Sequence, residues 1–123
     1  MHITWFYTGD DGRSHFADID VPAMTNLGIT SHPTEGGPVR FREAAEGVLD
    51  FHPAPMRQLV IIITGVMEIE MGDGSKRAFR PGDVFLADDL TGQGHITRTF
   101  GGPRQTIQLG VPADVNVAQW RAG

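Results

Sequence analysis

The chain contains no cysteine, which removes thiolate nucleophiles, thiolate-held zinc and disulfide staples together; any metal must be held by imidazole, carboxylate or amide groups. Basic charge is scarce. Ten Lys and Arg stand against fifteen Asp and Glu, for a net charge of −5. The basic residues are scattered, so the clustered positive surface that phosphate neutralisation requires is missing and no nucleic-acid partner is expected. Long apolar runs are also missing. The longest, Leu59 to Ile63, is far short of a membrane span, and the stretch from Met1 to Tyr7 lacks the basic start and apolar segment of a signal peptide. A cytoplasmic protein with no membrane partner is expected.

What is abundant is chain punctuation. Sixteen Gly and eight Pro divide 123 residues into segments of a few residues each, most of them alternating or rich in β-branched side chains, which is an all-β pattern. Strands are expected at Ile3 to Tyr7, Ser14 to Val21, Val39 to Arg42, Gln58 to Thr64, Val66 to Met71, Lys76 to Phe79, Val84 to Ala87, His95 to Phe100 and Arg104 to Val111. Asp73-Gly74 supplies the chemistry of a tight hairpin turn. Glu43 to Gly47 reads as a helical turn or a bend, and Ala113 to Trp120 as a short helix capped by Asp114. Residues 22–38 carry no periodicity and form either a lid over a binding site or a connector. About nine strands with regular turns fit a barrel or sandwich, and a chain of this length buries roughly two-thirds of its extended surface in one domain.

Three separated segments bring polar residues toward one barrel interior: Phe51 to Gln58, the Pro81-Gly82-Asp83 turn with Val84 to Ala87, and Thr91 to His95, where His95 shares a strand face with Thr97 and Thr99. Arg40, Arg42, Arg57 and Arg98 could meet an acidic ligand through paired donors, although alternation turns several of them toward solvent; Arg42 and Arg57 flank the mouth and are the two retained. His15, on an apolar strand face, fits a core or interface position better than a ligand position. Trp5, Phe51 and Trp120 fit core or dimer contacts, and His2 and His32 carry no signal.

Residues 39 to 111 resemble the cupin superfamily. Its first motif has two His separated by one residue, then a Glu, then a Gly seven residues after the Glu; its second opens on Pro-Gly-Asp and closes on a His. Here Gly65 lies seven residues after Gln58, which puts Gln58 at the Glu position, His52 at the first His and Ala54 at the second; Pro81-Gly82-Asp83 opens the second motif and His95 closes it. The resemblance implies a double-stranded β-helix, or jelly-roll, barrel with residues 39–111 as its core, strands 3–21 added before it and 22–38 as a connecting loop. It also implies a small-molecule ligand in the barrel near His52, Gln58, His95, Thr97, Arg42 and Arg57, and a homodimer in which Ile3 to Tyr7 is the natural exchange strand.

Where cupins hold iron, manganese, nickel or zinc, the motif positions supply three His and one Glu. This chain keeps two of those His and replaces the carboxylate by an amide, so His52, Gln58 and His95 leave a divalent ion with both of its charges uncompensated. Three readings follow: metal-assisted chemistry at a weakly held ion, proton transfer by His52 or His95 as in metal-free cupins, or a binding or sensory module without turnover.

Overall fold

The computed structural model describes residues 1–28, 30 and 38–122. Eight strands run through it: β1 His2–Thr8, β2 Ser14–Asp20, β3 Val39–Ala44, β4 Gly47–His52, β5 Gln58–Glu70, β6 Lys76–Phe79, β7 Val84–Asp88 and β8 His95–Gly110. The all-β jelly-roll expectation holds. No helix among the described residues is long and apolar enough to cross a membrane. His32 and the part of the 22–38 loop at residues 29 and 31–37, on which its lid or connector role turns, lie outside the described residues.

The architecture follows from two long, bent strands. β5 pairs with β7 and the second half of β8 through its first half, and with β6 and the first half of β8 through its second half; its register shifts between Ile62 and Val66. Strand ends are expected at Thr64 and Phe100, but at Gly65 and at Gly101-Gly102 the chain bends and continues. At Gly65, φ is 76° and a Cβ would lie 2.9 Å from the Pro103 carbonyl oxygen, so this bulge lets β5 and β8 cross closely. One leaf of the folded sheet has the order β2-β1-β7-β5-β8-β3, and β4 and β6 extend the other from β8 and β5.

Alternation then sorts side chains into two apolar layers. Phe6, Val60, Ile62, Met67, Ile69 and Phe85 fill the space between the leaves. Ile3, Trp5, Ala17, Ile19 and Leu86 point to the opposite side, where Val111, Val117 and Trp120 of the C-terminal tail cover them. Arg57 holds that tail down: its Nε and Nη2 donate to the two Asp88 carboxylate oxygens at 2.9 Å, and its Nη1 donates to the Val115 carbonyl at 2.6 Å. The tail contains a 3₁₀ turn, Val117–Trp120, preceded by Asn116 without a side-chain cap, in place of the expected helix capped by Asp114. β4 was not expected at all, and β3 continues through Ala44 where a helical turn or bend was expected.

The N-terminal strand is not a free edge. Within the single chain β1 is hydrogen-bonded to β2 along its whole length and to β7 from Thr4 to Tyr7. Exposed apolar side chains lie on the outside of β3 and β5, at Val39, Ile63 and Phe41, the last 81% exposed.

On the outer face of the second leaf, Arg98 donates to Glu68 and Glu70, and at the far end of the barrel Arg77 donates to Asp18. The Arg98 hydrogen bond, with the added attraction of Arg98 and Lys76, holds the Glu70 carboxyl below its ordinary value; the Arg77 hydrogen bond does the same for Asp18. A carboxyl lowered in the folded state stabilises above its unfolded value, and that contribution disappears as pH falls through the folded value. Glu70→Gln and Asp18→Asn are therefore expected to flatten the acid limb of the pH–stability curve while leaving its alkaline limb unchanged. Thermal unfolding across pH 2–7 checks this (roughly the span over which carboxylates titrate), and an acid limb as steep as that of the wild type would contradict it.

Candidate functional site

Between the leaves, toward the end where β4 meets β8, lies a cavity of about 330 Å³. That is at the small end of the range for ligand pockets, roughly 300–1,000 Å³. His52, Gln58, His95, Thr97 and Arg42, all expected at the site, line it. Arg57 does not; its guanidinium is engaged by Asp88 and the tail, which corrects its assignment to the mouth. His15 also lies elsewhere, on the outer face against Tyr7 with its Nε2 3.0 Å from the Asp11 carboxylate.

The two histidines are brought together by strand pairing. His52 closes β4 and His95 opens β8, the two are register partners, and their ring centroids are 4.6 Å apart. This approach depends on Gly94, whose φ is 76° and whose missing Cβ would overlap the His52 carbonyl and the Pro53 nitrogen. Phe6 packs edge-on against the His95 ring at 5.0 Å.

Each ring is fixed through the same nitrogen. His52 Nδ1 lies 2.8 Å from the Asp50 carbonyl oxygen, which can only accept, so Nδ1 carries the proton. His95 Nδ1 lies 2.6 Å from Asp89 Oδ2, an oxygen that also accepts from Ser14 Oγ at 2.6 Å. Asp89 is fully buried, and its other carboxylate oxygen accepts from the Ala54 backbone N–H at 3.3 Å. In the neutral rings Nε2 is then the acceptor nitrogen on both. Asp89 was not foreseen, because it sits in the irregular stretch between β7 and β8, where no periodicity predicts facing.

The opposite wall is more basic than alternation suggests. β3 and the second half of β8 pair with Arg40 opposite Gln108, Arg42 opposite Thr106 and Ala44 opposite Arg104. Directly opposed residues share a face. This puts Arg40, Arg42 and Arg104 on the cavity side, and Val39 and Phe41 on the solvent side. Arg40 Nε donates to Gln108 Oε1 at 2.6 Å. Arg104 is 6% exposed, and its Nε and Nη1 are buried without hydrogen-bond partners among the described residues, as is Gln58 Oε1.

The donor set does not fit a protein-held divalent metal. Two imidazoles and an amide bring no negative charge, the lining described includes no Asp or Glu, and three guanidinium groups share the space. No cluster of three or more metal-ligating His, Cys, Asp or Glu occurs among the described residues. A dication there would meet uncompensated positive charge.

No family model matches the chain, and no curated protein matches it. Solved structures resemble it loosely. Protein NMB1881 from Neisseria meningitidis superimposes with a TM-score of 0.48 at 14% identity, over 73% of this chain and 90% of that one. A protein provisionally assigned as ethanolamine utilization protein Q of Salmonella typhimurium LT2 gives 0.48 at 14% identity, over 93% and 98%. One provisionally assigned as a mannose-6-phosphate isomerase of Ralstonia eutropha JMP134 gives 0.42 at 17% identity, over 92% and 86%. Likeness at this level carries no argument about the site, and the jelly-roll assignment rests on the strand order and register described above.

Proposed function

We propose that this chain is a small-molecule-binding cupin whose cavity takes a small polar or carboxylated molecule without a resident metal, and in which His95 with His52 moves a proton on that molecule. The observation that carries the reading is the anchored pair of imidazoles: both Nδ1 atoms are tied to acceptors behind them, which leaves both Nε2 atoms as acceptors toward one cavity. An acceptor nitrogen backed by a buried carboxylate is the arrangement of a general base, because the carboxylate fixes the ring and stabilises the imidazolium that forms. Thr97 and Gln58 add polar groups that orient a ligand from the walls.

Elemental analysis of the untagged protein, before and after incubation with iron(II), manganese(II), nickel(II) or zinc(II), tests the metal part of this proposal. Well below one ion per chain is expected, with ligand binding unchanged in chelator. Stoichiometric metal that disappears in both His52→Ala and His95→Ala would overturn it. Ligand screening by nuclear magnetic resonance at the imidazole signals tests the remainder: ligands that shift both rings and turn over support proton transfer, and ligands that bind without any turnover reduce the cavity to a sensory or binding module.

A further inference from the structure

We infer that Arg104 anchors the carboxylate of a small organic acid in this cavity, an inference that rests on reading the cavity as a ligand site. Arg104 is a cation 6% exposed, bordering the cavity, with two of its three guanidinium nitrogens lacking a hydrogen-bond partner among the described residues. A buried charge without a counter-charge is among the costliest groups a fold can carry. The protein has fifteen acidic residues and a net charge of −5, yet none of the acidic residues described lines this cavity, while Arg40, Arg42 and Arg104 do. An anion entering the cavity supplies the missing charge and acceptor atoms.

The sheet holds Arg104 in place for this. The β5 bulge at Gly65 lets the Pro103–Arg104 backbone approach so closely that a Cβ on Gly65 would lie 3.1 Å from the Arg104 Cα. Burial, and secondarily the neighbouring Arg42 guanidinium, hold Arg104 below its ordinary value. Both effects act against the cation, and a bound carboxylate offsets them by supplying the counter-charge and acceptor atoms.

Apolar walls select among anions. Phe6, Val60, Met67, Phe85 and Ala87 line the same space; they favour an acid with a short hydrocarbon body over bare inorganic phosphate. A carboxylate matches the planar guanidinium fork, and the rest of a molecule filling the cavity meets His52 and His95.

The test uses the full chain at constant ionic strength, with propionate, its neutral amide propionamide, and inorganic phosphate as probes. Propionate is expected to raise the unfolding temperature saturably, and propionamide and phosphate to leave it unchanged. Arg104→Met is expected to unfold at the same or a higher temperature without any probe, since an apolar isostere replaces an unpaired buried charge, and to bind propionate at least ~10-fold more weakly. A propionate response that survives in Arg104→Met, or an equal response to phosphate, overturns the inference. Should Arg104→Met fail to fold, the wild-type Arg104 Nε–H resonance decides instead: a shift with propionate supports the inference, and a fixed signal overturns it. If propionamide moves the His52 and His95 signals and propionate does not, the ligand cavity stands and the acid anchor falls. If neither probe moves them, both readings fail.

Discussion

Asp89→Asn is expected to move the His95 proton from Nδ1 to Nε2 and to lower stability by roughly 1.5–3 kcal/mol, the range for losing hydrogen bonds to a charged group. Asp89 is fully buried and accepts from Ser14 Oγ, His95 Nδ1 and the Ala54 N–H. An asparagine amide has one acceptor and two donors. Placing its NH₂ against the Ala54 N–H sets donor against donor. Placing its oxygen there and its NH₂ toward Ser14 and His95 sets donor against acceptor at all three contacts, because the serine oxygen can accept and the imidazole can change tautomer, and leaves only the Ser14 O–H without its present acceptor. The second arrangement wins, and it turns His95 Nε2 from an acceptor into a donor. Asp89→Ala removes the acceptor of Ser14 Oγ and His95 Nδ1, while the Ala54 N–H keeps the residue-89 carbonyl at 2.9 Å, and is expected to cost about 1–3 kcal/mol for each of the two groups left unsatisfied. Long-range ¹H–¹⁵N correlation of the imidazoles and denaturant unfolding read the two effects. An unchanged His95 tautomer in Asp89→Asn would mean that the carboxylate does not orient the ring.

Gly94→Ala is expected to destabilise the fold by about 3 kcal/mol or more, on the order of 10 °C in Tm for a chain of this size. Two penalties add. Gly94 has φ of 76°, a conformation costing an alanine roughly 1–2 kcal/mol. The new Cβ would also overlap the His52 carbonyl and Pro53 nitrogen, which are backbone atoms that move only if the end of β4 leaves β8. Gly74→Ala separates the two penalties, since Gly74 has φ of 87° and open space around its Cβ position. It should show the first penalty alone. Equal destabilisation by both substitutions would mean that Gly94 serves only its own backbone conformation and does not hold His52 against His95.

Those two residues show how much of the site is legible from sequence. His52, Gln58, His95, Thr97 and Arg42 could be placed because motif spacing and strand parity bear on them directly, and they do line one cavity. Asp89 lies between strands, where neither period applies; Gly94 is readable as a glycine that allows a tight entry to His95, but its approach to the His52 backbone is not. Arg104 failed for a different reason. On β3 and the second half of β8, the polar residues Arg40, Arg42, Arg104, Thr106 and Gln108 face inward while Val39 and Phe41 face out, the reverse of the rule that apolar residues mark the inside. The rule fails where the inside is a cavity lined by basic side chains and not a packed core.

The fold shows the same division. The Asp73-Gly74 hairpin, β2 and β7 have ordinary turn chemistry or alternation and were readable. β4 was not, because Val48, Leu49 and Phe51 are all substantially exposed and its pattern reports no buried face. Gly65 and the Gly101-Gly102-Pro103 stretch read as strand ends, yet both lie inside strands that bend through them. Glycine marks a turn and a bulge with the same letter, and only the partner strand tells them apart.

The proposed proton transfer requires both imidazoles to present acceptor Nε2 atoms to one cavity without help from a metal. The most direct measurement is the long-range ¹H–¹⁵N spectrum of His52 and His95 in chelator-treated wild-type protein, free and with propionate. Protons on both Nδ1 atoms, with both Nε2 signals shifting as propionate is added, is the predicted result. Protons on Nε2, or Nε2 signals that move only when a divalent metal is restored, would contradict it.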